Sequence, residues 1–476
     1  MKLPASLTSD TSRSRKGLLL ATLLILPIFY YLATQTSGTI LPSWSPSTWP
    51  ALPFSTNLFT TTSSAFAGKW LATDLLVPFN PEPLRAFCAS TTWRTNLIFN
   101  LNTATGGVGN VRASVLDFVF FAIEAGAAIV LPGMLQRSDE DLFDVWHGQT
   151  RNFSRMFDEE WFLARMQEVC PQMTIYLPGE AELDGVKTLE GNRAPKSRRE
   201  DFDAANSAMA FRASVDGWLV EQGVDDGTEK KVLVNLDRTM WEVDTYSPYL
   251  PPSLRLNFPM ILRINPDIRR YAGLAMANMS AHYGVPVRVD DSLHEHAFYG
   301  AHLRTEADTV SAGWFAPPSA MEFGVDFEGQ TDAYLRHAAE NDLDFMYVAT
   351  GNSSEFDRFV EKAAAVAPNL TLFSKYELLS TEDVGAVRRL EFDQQALIDL
   401  EILRRSSVFG GFAKSSFSFM IAVARRAWVE QRGGDLGRGW WMKEVEEGHV
   451  SFEDGLSRVV GRNELNERKC PRGCWP

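Results

Sequence analysis

Short apolar runs, several closed by glycine or proline and most followed by residues of helical spacing, recur along most of this chain. That alternation confines it to an α/β architecture. Leu97–Leu101 (LIFNL) is bounded by polar residues and reads as a buried strand. The glycine turn Gly106-Gly107-Val108-Gly109-Asn110 follows. From Val111 to about Ala125, the apolar residues Val115, Phe118, Val119 and Ala122 share one helical face. Gly126 ends that pattern, and Ala127–Leu131 (AAIVL), stopped by Pro132, is the next strand. A strand–helix–strand unit seeds a parallel sheet. Met173–Leu177 and Val232–Leu236 extend the same half.

A second series opens after Ile264-Asn265-Pro266-Asp267. It predicts a helix over about Ile268–Ala281, strands Ala297–Leu303 and Phe345–Thr350, a helix Ser354–Ala367 and a strand Leu370–Phe373. A helix Asp393–Arg404, a strand Ser407–Phe409 stopped by Gly410-Gly411, and a helix from about Ser415 complete it. The fold class expected is α/β, with two Rossmann-like doubly wound domains, 77–265 and 266–476, facing a cleft. The tail after Arg426, with Trp428, Trp440 and Trp441, predicts one or two helices packed back on the body. Glu444, Glu446 and Glu447 in it read as a solvated face.

The chain has 476 residues, 45% of them hydrophobic, which sets aside wholesale disorder. Its 46 basic and 60 acidic residues leave a net charge of −14, so no sustained positive field is available to a general nucleic-acid binder.

The start of the chain speaks of a membrane. Lys2, Arg13, Arg15 and Lys16 precede the apolar run from Gly17 to Ala33, which ends in Phe29, Tyr30 and Tyr31. The run is near the short limit for a bilayer span and longer than a secretory signal core. We read a cytosolic tail 1–16 and a single-pass type II anchor 17–33, with a cleaved signal as the alternative. A Ser/Thr/Pro-rich stem, 34–76, follows and cannot bury enough apolar surface to fold alone. Sequons at Asn152, Asn278, Asn352 and Asn369 agree with a lumenal address, although Asn352 directly follows a strand. The four cysteines allow three pairings; Cys470 with Cys474 and Cys88 with Cys170 is one of them.

Three strand ends carry groups suited to a phosphorylated ligand. The Gly106–Asn110 turn opens a helix, and amides at a helix start favour anions. It lacks the GxGxxG pattern and the P-loop Lys-Ser/Thr. His302 and Arg304 alternate onto one face at the end of a strand. A guanidinium there suits a diphosphate, while taken alone the motif reads more simply as a surface salt bridge from Arg304 to Glu306 or Asp308. In Gly410-Gly411-Phe412-Ala413-Lys414-Ser415-Ser416-Phe417-Ser418, hydroxyls meet a helix start, where Ser415 or Ser416 could also be an N-cap. Together the three predict a diphosphate-bearing ligand between two α/β units. Asp342-Leu343-Asp344 spells a metal–diphosphate signature but precedes its strand, and reads as a solvated turn. His294 and His296 lack metal-site spacing and read as surface residues.

These blocks resemble the GDP-fucose protein O-fucosyltransferase family, most of all a fungal-like branch. The resemblance rests on GGVGN, YGAHLRTE (Tyr299–Glu306), YVATG (Tyr347–Gly351) and DQQALIDLEILRRSSVFGGFAKSSFS (Asp393–Ser418), and covers about Leu97–Arg426. It implies a GT-B fold and an inverting, metal-independent transfer of a sugar, foremost fucose, from a GDP-sugar to a hydroxyl of a glycoprotein or glycan. No cofactor, metal or nucleic acid is expected. The donor site implied comprises Gly106, Gly107, Gly109, Asn110, His302, Arg304, Ser415, Ser416 and Phe417, with Asp393 or Asp399 on the guanine or ribose. Arg304 would stabilise the leaving diphosphate, and Glu306 is the candidate base. Anchor and stem match the layout of Golgi and endoplasmic-reticulum glycosylation enzymes. A catalytically inactive, membrane-tethered member acting as a glycan-binding or assembly factor is the competing reading.

Overall fold

The computed structural model describes residues 56–73, 79–102, 104–137, 147–190, 207–224, 230–236, 250–311, 326–434, 450–461 and 475–476, with a few isolated positions between them. The expected tail and anchor, the stem up to residue 55, the Trp440–Trp441 pair, the acidic patch, Cys470 and Cys474 lie outside the described residues. Thr56–Pro476 form one compact unit.

The first element corrects the expected stem. Residues Thr56–Ala72 form helix α1, and its Ser63, Ala67 and Trp70 are buried. A segment too polar to fold alone still folds when a body offers it a groove.

The first sheet is built on β1 (Leu97–Leu101), whose Leu97, Ile98, Phe99 and Leu101 are buried, as a strand covered on both faces demands. Helix α2 (Val108–Ala125) returns the chain to β2 (Ala128–Val130). The short ribbon β3 (Met134–Leu135) and β4 (Thr150–Arg151) follows, and then β5 (Ile175–Tyr176), β6 (Lys187–Glu190) and β7 (Val232–Leu236). The order β5-β2-β1-β7-β6 is parallel throughout. Cys88 and Cys170 form a disulfide, tying helix Glu82–Ser90 to the end of helix Glu159–Val169.

The second sheet follows helix α3 (Pro266–Tyr283). Its strands are β8 (Tyr299–His302), β9 (Phe345–Ala349), β10 (Thr371–Phe373), β11 (Val408–Phe412), β12 (Val450–Glu453) and β13 (Ser457–Val460). Short helix α4 (Lys375–Leu378) follows β10, α5 (Phe392–Leu403) precedes β11, and α6 (Ser416–Gln431) leaves it. The order is β10-β9-β8-β11-β13-β12, parallel except for the closing β13–β12 pair.

Several expectations change here. Gly410 and Gly411 do not stop β11; they lie inside it. A Cβ on Gly410 would fall 2.1 Å from the Tyr299 hydroxyl, and one on Gly411 2.6 Å from Ser418 Cβ, so glycine there serves close packing. The tail adds the β12–β13 hairpin as well as the extension of α6. At its end Trp475 is buried beside Phe120 and Phe258, and its indole donates to Asp117 at 2.8 Å. His294 is buried rather than superficial, its ring nitrogens against the Arg405 and Arg288 carbonyls at 2.8 and 3.0 Å, while His296 is exposed. Asp342 and Asp344 stand in the turn before β9, at the end of the sheet opposite its carboxyl edge.

Candidate active site

In each sheet the chain order reverses at one strand pair, and a crevice opens there beyond the carboxyl ends. In the first sheet this is beside β1, and in the second between β8 and β11. Gly107 is the N-cap of α2 and Ser415 the N-cap of α6, and neither helix start has a side-chain cap bond. Uncapped amides at a helix start carry partial positive charge. The two starts nearly touch: a Cβ on Gly109 would lie 3.0 Å from the backbone and hydroxyl of Ser416. Gly106 takes φ 96°, a left-handed conformation that needs glycine.

One cavity of about 200 Å³ runs between these helix starts and the ends of β8 and β9. Gly107, Gly109, Asn110, His302, Arg304, Glu306, Asp399, Ser415, Ser416 and Phe417 all line it. Gly106 and Asp393 are not on its wall. Asp393 lies behind Arg137, which grips it through Nε at 3.1 Å and Nη2 at 2.5 Å, so its carboxylate is committed to bridging the two halves.

Arg304 is a buried fork between two acids. It contacts Glu306 and reaches Asp308 through Nη1 at 2.8 Å and through Nη2. The simple surface salt bridge is thereby corrected: these side chains are 14, 8 and 6% exposed. Gln330 holds the Arg304 backbone from both sides, accepting from its N–H at 3.0 Å and donating to its carbonyl at 3.2 Å. Burial works against the Arg304 charge, but Glu306 and Asp308 outweigh it and hold the pKa above its ordinary value. Burial likewise opposes the Glu306 charge, yet Arg304, His302 and the Gly351 N–H at 2.9 Å keep its pKa below the usual range. A Cβ on Gly351 would fall 2.6 Å from Phe392 and 3.2 Å from Glu306, which explains the bare backbone there.

His302 is buried with Nδ1 at 2.8 Å from the Ser418 hydroxyl, and its ring tilts against Phe417 at 4.8 Å. Burial pushes its pKa down to about 4, so the imidazole is neutral near pH 7. Also on the wall, Asp399 accepts from Tyr347 at 2.6 Å and from Lys375 at 2.7 Å. Burial disfavours both charges; for Asp399 it raises the pKa, while Asp399 in turn keeps Lys375 above its ordinary value.

Sequence reading missed Arg137, Lys375, Tyr376, Phe392 and Gln395 on this wall. Lys375 and Tyr376 open the segment after β10 as Arg304 follows β8, so the rule of strand ends applied to Phe373 would have found them. Four cationic side chains, Arg137, Arg304, Lys375 and Lys414, line the cavity against two carboxylates, Glu306 and Asp399. Asp308 and Asp393, just behind the wall, pair with Arg304 and Arg137, so cations and carboxylates balance, and it is the uncapped helix starts that favour an anionic ligand.

The family model described as GDP-fucose protein O-fucosyltransferase matches residues 97–427. The chain belongs to that family. It is a glycosyltransferase, and the match spans both sheets up to α6 but neither α1 nor the β12–β13 hairpin. No curated protein matches the chain. Among solved structures it is similar to POFUT1 in complex with GDP, with 13% identity over 73% of this chain and 97% of that one, at a TM-score of 0.41. It is also similar to the fucosyltransferase NodZ from Bradyrhizobium, with 14% identity over 71% of this chain and 92% of that one, at a TM-score of 0.37. Among the described residues no three His, Cys, Asp or Glu side chains gather as metal ligands.

Proposed function

We propose that this member transfers fucose from GDP-fucose, with inversion and without a metal ion, to a hydroxyl of a glycoprotein or glycan. One observation carries the reading. Two side-chain-uncapped helix starts and the Arg304 fork converge on one cavity. Departure of GDP leaves growing negative charge on its diphosphate. Amides at Gly109 and Ser416–Phe417 and the guanidinium of Arg304 are fixed donors for that charge, and need little reorganisation as it develops. Asn110 adds a side-chain amide at the same mouth. The nucleoside would extend toward Asp399, Lys375 and Tyr376, where an oriented carboxylate and an ammonium offer both acceptor and donor.

Glu306 suits the role of holding Arg304 better than that of a base. Arg304 and the Gly351 amide occupy its oxygens, and a carboxylate held below its usual pKa takes a proton poorly. The test is binding and turnover across GDP, UDP and CMP, with and without EDTA. GDP alone should raise the melting temperature and compete with donor, and EDTA should change nothing. Equal binding of UDP, or loss of transfer in EDTA, overturns the reading.

We further propose a lumenal body, in the Golgi or endoplasmic reticulum, tethered by residues 17–33 as a type II anchor. The Cys88–Cys170 disulfide fits an oxidising compartment. Among the described residues no helix is long and apolar enough to cross a membrane, and residues 17–33 are not among them. Asn152 and Asn369 are exposed, whereas the Asn278 amide is tied to Ser63 and to the Leu378 carbonyl, both at 2.8 Å. In a eukaryotic host, mass spectrometry should find glycans at Asn152 or Asn369 and none at Asn278. A chain bare at all sequons would overturn the lumenal address.

A further inference from the structure

We infer that helix α1 is a working part of the donor site and that Trp70 is a positioning residue: together they seat α5 from behind. The inference rests on the reading of the cavity as a donor site, and α1 lies outside the family match.

The body is built to receive this helix. Trp70 is fully buried. It sits in a notch on α3 made by Gly273, where a Cβ would lie 3.0 Å from Trp70 Cγ and 3.1 Å from Ala67 Cα. The Arg405 guanidinium stacks on the indole at 3.7 Å from its centre. The last turn of α1 is held through its carbonyls. Arg269 donates to the oxygens of Leu71 at 3.2 Å and Thr73 at 2.5 Å, and Arg263 also donates to Leu71. Cations at a helix C-terminus meet the negative end of its dipole. Further up, Ser63 donates to Asn278 on α3.

The receptor leads to the site through one helix. Arg269 pairs with Glu401 on α5 at 3.4 Å, both side chains being buried. Glu401 meets α3 through Arg269, and Arg405, two residues beyond the end of α5, stacks on Trp70. Phe392, Gln395, Ala396 and Asp399 recur at helical spacing on the opposite face and line the cavity. A displacement of Trp70 therefore reaches Asp399 through Arg405 and Arg269 as a tilt of α5, straining its bonds to Tyr347 on β9 and Lys375 on α4.

The experiment uses the full chain with Trp70→Ala, Gly273→Leu and Trp70→Phe. Calorimetry reads GDP affinity, kinetics read donor KM and kcat, and hydrogen exchange reads the Phe392–Leu403 amides, all below the melting transition. Trp70→Ala and Gly273→Leu should raise GDP Kd and donor KM about tenfold, leave kcat within about threefold, and speed exchange in α5. Trp70→Phe, which keeps an aromatic face for Arg405, should restore most of the loss. If Trp70→Ala does not fold, Gly273→Ala, which removes no contact, should give a smaller shift of the same kind. Unchanged Kd and KM in a variant with a lowered melting temperature would reduce α1 to plain ballast and overturn the inference. The two readings fail separately. A wild-type chain blind to GDP sinks the donor reading, whereas α5 exchange needs no nucleotide, and its constancy in Trp70→Ala sinks this inference alone.

Discussion

The two halves of this molecule are held together by different physics. Among the described residues before Pro266, Arg255 is the one charged residue in the buried set, with the Arg94 and Arg137 side chains next at 10% exposed, and the half relies mainly on apolar burial and the Cys88–Cys170 bond. From Pro266 onward the buried set includes Arg269, His302, Glu306, Lys375, Asp393, Asp399, Glu401, Arg405 and Arg425. Buried charge is costly unless paired, and each partner removed exposes that cost. The contrast teaches where the chemistry resides. The first half presents backbone, a glycine turn, Asn110 and one cation, Arg137, while the second presents an organised field of charge.

That contrast breaks if the largest effect does not come from the second half. Arg304→Ala should cut transfer by about 10³, the scale of losing a preorganised charge partner. GDP release at saturating donor reads it, and circular dichroism checks the fold, since Glu306 and Asp308 would then face each other. A loss under tenfold would put the decisive charge elsewhere.

The disulfide tests the first half. Its cysteines are 82 residues apart in sequence, so replacing both by serine should cost about 4 kcal/mol by loop-closure entropy. Urea denaturation should show the loss. A cost below about 1 kcal/mol would mean that apolar packing alone suffices there.

Acid should strike the second half through His302. Its pKa of about 4 lies below the ordinary 6.5, so the unfolded chain binds that proton more readily. The resulting penalty is absent above about pH 6.5, grows as pH falls, and levels off below about 4, reaching about 3 kcal/mol. His337 is pushed down to about 3 and adds in the same direction, so the wild-type curve alone does not isolate His302. The difference between wild-type and His302→Gln stability should shrink as pH falls through that window. A constant difference would mean that His302 protonates without cost.

The smallest effect sharpens the seam between the halves. Gly109→Ala places a methyl 3.0 Å from the Ser416 backbone and should raise donor KM about tenfold. Gly107→Ala meets only the Arg137 guanidinium, at an ordinary contact distance of 3.6 Å, and should change little. Equal effects would mean that the helix starts do not depend on close approach.

Much of this was legible from local pattern. Leu97–Leu101 and Val232–Leu236 are strands over the expected residues, and the helices read at Ile268, Ser354 and Asp393 extend or shift by only a residue or two. Where pattern misled, the cause was a neighbour distant in sequence. Gly410-Gly411 looked like a stop because glycine usually is one, and only Tyr299 and Ser418 show why it sits inside a strand. Residues 56–72 looked like part of a stem because the Gly273 notch and its arginines lie some 200 residues away, as the 196–199 residue separations of the Arg269 bonds show.

Composition and spacing by themselves determined the α/β class, the succession of two halves and the strand ends where anions gather, because those follow from forces between residues a few positions apart. Tertiary structure alone decided that Arg137 and Lys375 join Asn110, Arg304 and Ser416 in one cavity, that Asp393 does not, and that α1 belongs to the body. Each of those depends on burial and charge pairing between distant segments, and such terms have no value until the chain has closed on itself.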